Sequence, residues 1–325
     1  MARLGMARLV LAWQAWQARL GKAGHGVSSI GVAGIFLEKN MTDNYHDDYS
    51  RISKSMVQDF ATDRELYRLR YIDGKLPRRE ASAAMDCGTS VHKVLLEGGE
   101  LDDHVRLVPD DCLQSNGAIN GKRMAELRAA NPGIVYVKAA EFGRISSIIE
   151  SVRKVTPEMG IGSAAGKEQA IYWTDSASQL DCRCKPDWYC ELSGDRIICH
   201  DLKVTASVNP WDWGRVADRF RYWLQDAHYT AGLEKATGKR VVDFIFWVVE
   251  DQYPYRVLRR AYSQDDRKAA RQWHANRMCE LAACYHTGNW SNEWPEEIPA
   301  RSLRQADDLE LVEMEETDVT SEMAF

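Results

Sequence analysis

Between residues 168 and 229 the chain has strand-like runs with carboxylates at or near their ends, followed by a helical segment with spaced polar groups. The runs are Glu168 to Trp173, Leu180 to Cys190 and Arg196 to Thr205, separated by Thr174-Asp-Ser-Ala-Ser178 and Leu192-Ser-Gly-Asp195. Short apolar runs divided by such turn residues predict an antiparallel meander of three strands. Downstream, Trp211 to Lys235 has helical spacing and is closed by Gly238. Val241 to Glu250 reads as an apolar strand paired with Tyr255 to Tyr262. Asp265 to His286 reads as a long helix with Ala269, Trp273, Met278, Leu281 and Ala282 inward.

Upstream, Ser53 or Ser55 is placed to cap a helix that leads to Phe60, and Arg64 to Asp73 continues helically. Gly74 to Arg79 is a basic turn. The segment Gly88-Thr-Ser-Val-His92-Lys-Val-Leu-Leu-Glu97-Gly98 has an apolar helix face of Val91, Val94, Leu95 and Leu96, and Gly98-Gly99 ends it. Gly88 would let that helix approach another element closely. Further helices are expected near Lys122 to Ala130 and over Ala139 to Val155, with Val135 to Val137 as a short strand. The resulting order predicts an α+β fold with a central mixed sheet flanked by helices.

Charge is unevenly distributed. Residues 1–40 carry five basic residues and Glu38, while residues 307–325 carry eight acidic and no basic residues. The middle is then near neutral despite the net charge of -6, so a nucleic-acid enzyme would have to gather its cations locally. The Ala/Leu/Arg/Trp-rich start superficially resembles a transit peptide, but its apolar run Leu9 to Trp13 is too short to span a membrane. Met41 offers a second plausible start. Residues 1–40 are therefore expected to be a non-native or flexible extension, 41–306 the folded domain, and 307–325 a disordered acidic tail. Eight cysteines without an export signal suggest reduced thiols and a cytoplasmic protein. The late pair Cys279 and Cys284 is too sparse to suggest an iron-sulfur cluster.

Hard divalent cations take carboxylate and carbonyl oxygens, and they are what phosphodiester cleavage needs to neutralise charge and activate water. Asp187 and Asp201 would converge if their strands pair. Leu202 would present its carbonyl there, and Lys203 returns to the side of Asp201 by the two-residue strand period. Gln225 and Tyr229 share a helix face. These positions point to a metal-dependent phosphodiesterase.

The pattern Pro186-Asp187 followed by Asp201-Leu202-Lys203 resembles the PD-(D/E)XK nuclease signature. Gly88-x-x-x-His92 and Gln225-x-x-x-Tyr229 are similar to its RecB-like branch. Ile52-Ser-Lys-Ser55, Tyr172-Trp-Thr-Asp175, Cys182-Arg-Cys-Lys-Pro-Asp187, Leu224-Gln-Asp-Ala-His-Tyr229 and the stretch Asn289 to Pro295 resemble the nuclease domain of RecE-type exodeoxyribonuclease VIII. The resemblance covers about residues 45 to 304. It implies that His92, Asp187, Asp201 and the Leu202 carbonyl ligate Mg2+, with Mn2+ as a possible substitute, and that Lys203 is the catalytic lysine. Gln225 and Tyr229 would orient Lys203 and the scissile phosphate, and Glu168 would support the metal from the edge. It further implies 5' to 3' digestion of linear double-stranded DNA, a homo-oligomeric ring and a single-strand annealing recombinase as partner. Arg78, Arg79, Arg215, Arg219 and Arg221 are candidates for the DNA path. A non-catalytic DNA-end-binding protein and an endonuclease of the same superfamily remain the alternatives.

Overall fold

The computed structural model describes Tyr45, residues 48–77, residues 83–292 and Trp294, all within one unit that spans 38–325. The extension 1–40, Arg78 and Arg79, and the acidic tail lie outside the described residues.

Helix α1 (Lys54–Thr62) starts where the Ser53 hydroxyl accepts from the Met56 amide at 3.4 Å. Asp63 then turns extended and caps α2 (Arg64–Tyr71) through the Leu66 amide, so the expected helical continuation exists after a break. Helix α3 (Ala83–His92) passes into one π turn, Lys93–Glu97, and Gly98 and Gly99 end it at φ 88° and 99°. Among the described residues the close approach expected at Gly88 does not occur, because a Cβ there would meet none of them within 4 Å. Next come α4 (Leu101–His104), β1 (Val105–Leu107), α5 (Gly121–Ala130) and β2 (Val135–Val137). Strands β1 and β2 pair in parallel, and Val108, Cys112, Met124 and Tyr136 form a small apolar cluster beside them. Helix α6 (Ala139–Met159) buries Ile145, Ile148, Ile149 and Val152, and Gly160 closes it in the left-handed region.

Strands β3 (Gly166–Lys167), β4 (Ile171–Thr174), β5 (Asp181–Cys184), β6 (Trp188–Leu192) and β7 (Arg196–Thr205) follow. Helices α7 (Pro210–Arg219) and α8 (Tyr222–Thr237) then cross over to β8 (Arg240–Glu250), β9 (Val257–Arg260) and α9 (Gln264–Thr287). The central sheet has the order β3-β6-β7-β8-β9, with β7 and β8 parallel and its other pairs antiparallel. It is the mixed sheet flanked by helices that the sequence predicts.

The three-strand meander is corrected. The first run breaks at Glu168, whose φ of 46° cannot continue a strand, and the second breaks at Pro186, which has no N–H to donate to a ladder. Strands β4 and β5 therefore form a separate ribbon, and only β6 and β7 pair within the main sheet. Asp187 accordingly stands just before β6 and not on a strand. The expected helix over 211 to 235 is also divided, at Phe220 and the left-handed Arg221.

Strand alternation sorts β7 between two cores. Ile197 and Cys199 enter a core built with Phe244, Phe246, Val248 and residues of α1, α8, α9 and the ribbon. Leu202 enters the other, with Trp188, Ile245, Trp247, Val249 and residues of α3 and α6. On α9 the inward row is Arg267, Ala270, His274, Met278 and Leu281, whereas the expected Ala269 is exposed. The polar members of that row have partners on α8. Arg267 grips Asp226, and His274 Nε2 lies 3.0 Å from His228 Nδ1.

Candidate active site

The two chain breaks lie side by side. The Glu168 amide donates to the Asp187 carbonyl at 2.9 Å, which places both carboxylates where β3 and β6 begin to separate. His92 reaches the same place from the end of α3, just before the π turn, a local irregularity often found at functional sites. His92, Glu168 and Asp187 each offer a donor atom within 4.8 Å of the others. His92 Nδ1 is 3.5 Å from Asp187 Oδ2 and 3.8 Å from Glu168 Oε1.

Leu202 connects this group to β7. Its amide donates to Asp187 Oδ2 at 2.7 Å, and its carbonyl lies 2.7 Å from His92 Nε2. A carbonyl only accepts, so that ring nitrogen carries the hydrogen and Nδ1 faces the two carboxylates. The Leu202 side chain is fully buried in the opposite core, which fixes the direction of the peptide.

Asp201 and Lys203 lie on the other face of β7. Lys203 Nζ forms an ion pair with Asp201 Oδ1, and Gln225 Nε2 donates to Asp201 Oδ2. Gln225 thus holds Asp201 and not Lys203. The Lys203 ammonium also lies 5.1 Å from the centre of the Tyr222 ring. Tyr229 stands one turn beyond Gln225, its ring centre 6.3 Å from that of Phe244. Burial pushes its hydroxyl well above the usual range, and the charges of Asp201 and Asp187 add to this.

The electrostatics describe a crowded ionic pocket in which Glu168, Asp187 and Asp201 face His92, Lys185 and Lys203. Burial, with Asp201 nearby, raises Asp187 to about 7 even though His92 and Lys203 oppose it. Burial disfavours the charged form of His92, yet Asp187 and Glu168 outweigh it and raise the imidazole to about 9. For Glu168, burial is outweighed by hydrogen bonds with His92 and Lys185, and its carboxyl falls below the ordinary value. Burial likewise works against the Lys203 charge, but Asp201 and Asp187 hold it above the usual lysine range.

Asp187 and Asp201 repel one another under one surface, and a bound cation would relieve that repulsion. One imidazole nitrogen and two carboxylates fit a divalent ion, whereas the Leu202 carbonyl, expected as a further ligand, accepts from His92 Nε2. His92, Glu168 and Asp187 are the residues that this structure brings together as candidate ligands. Asp201 is occupied by Lys203 and Gln225.

The remaining expected residues are placed differently. Arg215 and Arg219 lie exposed on α7. Arg221 is turned inward, with Nη1 3.4 Å from the Gln58 carbonyl and its guanidinium 5.9 Å from the centre of the Trp273 ring. Two lysines escaped the sequence reading. Lys185 donates to Glu168 Oε2 at 2.6 Å, and its position two residues before Asp187 was the available signal. Lys54 donates at 2.7 Å to both Gln58 Oε1 and the Phe220 carbonyl. Burial, with Lys203 nearby, lowers its ammonium to about 7.

Residues 53–297 match the family model described as a PDDEXK-like domain of unknown function. No curated protein matches the chain. Among solved structures, a candidate exonuclease from Eubacterium rectale is similar at 15% identity and a TM-score of 0.48, over 86% of this chain and 98% of that one. The protein SSO0001 is similar at 10% identity and a TM-score of 0.28, over 64% of this chain and 87% of that one. The family match covers the helices, the sheet and every residue of the site just described, and the chain belongs to this PDDEXK-like family within the PD-(D/E)XK superfamily of metal-dependent nucleases.

Proposed function

We propose that the protein is a Mg2+-dependent exodeoxyribonuclease that degrades linear double-stranded DNA from 5' to 3' and leaves a 3' single strand for an annealing recombinase. Mn2+ is the expected substitute, and the working form is a homo-oligomeric ring in the cytoplasm. The carrying observation is the convergence of His92, Glu168 and Asp187 within 4.8 Å, with the Asp201 and Lys203 pair on the next residues of β7 beyond the shared Leu202 peptide. The choice of DNA ends, the polarity, the ring and the recombinase are supported by the sequence resemblance to exodeoxyribonuclease VIII. Among the described residues no helix is long and apolar enough to cross a membrane.

A bound divalent ion would neutralise the phosphate and lower the pKa of an attacking water. His92, Glu168 and Asp187 would hold it, and the Leu202 peptide keeps the first and last of these in place. Lys203, paired with Asp201, would act as a positive charge and donor toward the charge developing on the phosphate. Gln225 restrains Asp201, which in turn restrains Lys203.

The test uses linear duplexes labelled separately at their 5' and 3' ends, with and without a 5' phosphate. Progressive release of 5' label, abolished in Lys203→Ala and in Asp187→Asn with secondary structure retained, is expected. Full activity in both variants would remove the mechanism. Release from 3' ends alone would reverse the polarity, and nicking of closed circles would favour an endonuclease.

A further inference from the structure

We propose that the outer row of α7 and the corner after it form a track for an unpaired stretch of DNA leading into the candidate site. The proposal rests on the nuclease reading of that site. Trp211, Arg215 and Arg219 follow one another at intervals of four residues and therefore share one helix face, about 12 Å long from first to last. All three are exposed, Trp211 to 81%. The opposite face carries Trp213 and Ala217 into the core, and the Asn209 side chain caps the helix through the Trp211 amide, so the row sits on a fixed support. Phe220, 47% exposed, follows at the corner.

Single apolar residues on a surface are ordinary. Phe220 is distinguished by what joins it to the site, and Trp211 stands on the same outer side of the helix that leads to it. The Phe220 ring stacks on Tyr222 at 5.9 Å and 21°, and the far side of this pair leads to Lys203, 5.1 Å from the Tyr222 ring centre. Lys54 ties the Phe220 carbonyl to α1 at 2.7 Å, and Arg221 reaches the Gln58 carbonyl of the same helix. A line of aromatic rings thus runs from solvent to the candidate catalytic lysine over a corner held by α1.

The kind of partner follows from the composition of the row. Asp212 binds Arg215 at 2.6 Å and Asp218 lies on the same helix, so α7 has no net charge and charge alone does not define the surface. A duplex keeps its base faces stacked and could use only the arginines. An unpaired strand can place bases on Trp211 and Phe220 and phosphates on Arg215 and Arg219, the combination of stacking platforms and cations that suits single-stranded nucleic acid. Arg219 rests 5.6 Å from the centre of the Phe220 ring, where it covers an apolar face until a base takes that place.

The experiment measures anisotropy of labelled oligothymidylate, about twelve nucleotides long, and of an abasic strand of the same length and charge, with the full chain in EDTA. The wild type is expected to prefer the thymidylate about tenfold or more. Trp211→Ala combined with Phe220→Ala should erase that preference, with far-UV circular dichroism unchanged. Tyr253→Ala, which removes an aromatic ring 87% exposed elsewhere, should keep it. Equal binding of both strands by the wild type, or a preference that survives the double substitution, overturns the track. So does tighter binding of blunt duplex that the double substitution weakens equally, which would make this a duplex face. Thymidylate preference without hydrolysis of linear duplex in Mg2+ would defeat the nuclease reading and leave the track standing, whereas hydrolysis of the duplex without base preference would do the reverse.

Discussion

Asp226→Ala is expected to destabilise the fold by about 3–5 kcal/mol, because it strands a buried cation. Arg267 is only 2% exposed, and its Nε and Nη2 donate to Asp226 Oδ2 and Oδ1 at 2.8 and 3.1 Å. Its Nη1 donates to the Val242 carbonyl at 2.8 Å, and Thr230 adds a hydroxyl to Asp226 at 3.0 Å. Burial alone raises the Asp226 pKa, and Arg267 and Thr230 pull part of that shift back. Removing the carboxylate leaves Asp243 Oδ1, 3.9 Å from Arg267 Nη1, as a weak substitute, which favours the lower part of the range. Such a loss is a large share of the roughly 5–15 kcal/mol that holds a typical domain together, so the single variant alone could fail to fold. The double variant Asp226→Leu with Arg267→Met removes both charges and should lie within about 2 kcal/mol of the wild type. Urea unfolding followed by far-UV circular dichroism measures both, with the denaturant slope checked for constancy. A single variant within about 1 kcal/mol of the wild type, or a double variant as unstable as the single, would refute the reasoning.

Three buried histidines should make the protein acid-sensitive. Burial lowers His228, His274 and His200 to about 3, 4 and 4, so between those values and about 6.5 the unfolded chain binds more protons and stability falls as pH falls. Each fully shifted histidine contributes up to about 1.4 kcal/mol per pH unit in that window, and thermal melts at pH 7.5, 6 and 5 should show a steep decline; a flat profile would contradict it. Divalent metal at about a hundred times its dissociation constant should add about 2.7 kcal/mol of stability, seen as a rise of several degrees in Tm that EDTA reverses and Asp187→Asn removes. No metal-dependent shift in the wild type would argue against His92, Glu168 and Asp187 as ligands. Gly232→Ala should cost about 1–3 kcal/mol by overpacking, since its Cβ would lie 2.7 Å from Trp173 Cζ3 and 2.9 Å from Cys184 Sγ. An unchanged urea midpoint would show that the ribbon yields.

The order of helices and strands was legible because most segments carry their own periodicity and caps. Ser53 and Gly238 mark helix ends in the sequence and the apolar run of β8 is unmistakable, whereas the helix expected to stop at Val155 runs on through Pro157 to Met159. The sheet order was less accessible, since the breaks at Glu168 and Pro186 are single-residue events inside strand-like composition. Strand alternation gave the sides of Asp201, Leu202 and Lys203, because a two-residue period is a local property. The role of Gln225 was only partly accessible: helical spacing places it near the site but does not say that Asp201, and not Lys203, is within its reach. Lys54 and Tyr222 were missed because they meet Phe220 and Lys203 only through tertiary packing of α1 and α8.

The Leu202 peptide has a consequence for the order in which the protein matures. It joins Asp187, 15 residues away, to His92, 110 residues away, and β7 acquires its parallel neighbour β8 only after two intervening helices. Contacts of such sequence separation close slowly, since the entropy of the long loop must be overcome before they are rewarded. The hairpin of β6 and β7 can form early and hold Asp187 beside Asp201, but a chain in that condition lacks the histidine and Glu168 arrives by a separate closure. A chain folded only that far would carry Asp187 and Asp201 without the completed centre, which needs α3 docked on the sheet to bring in His92.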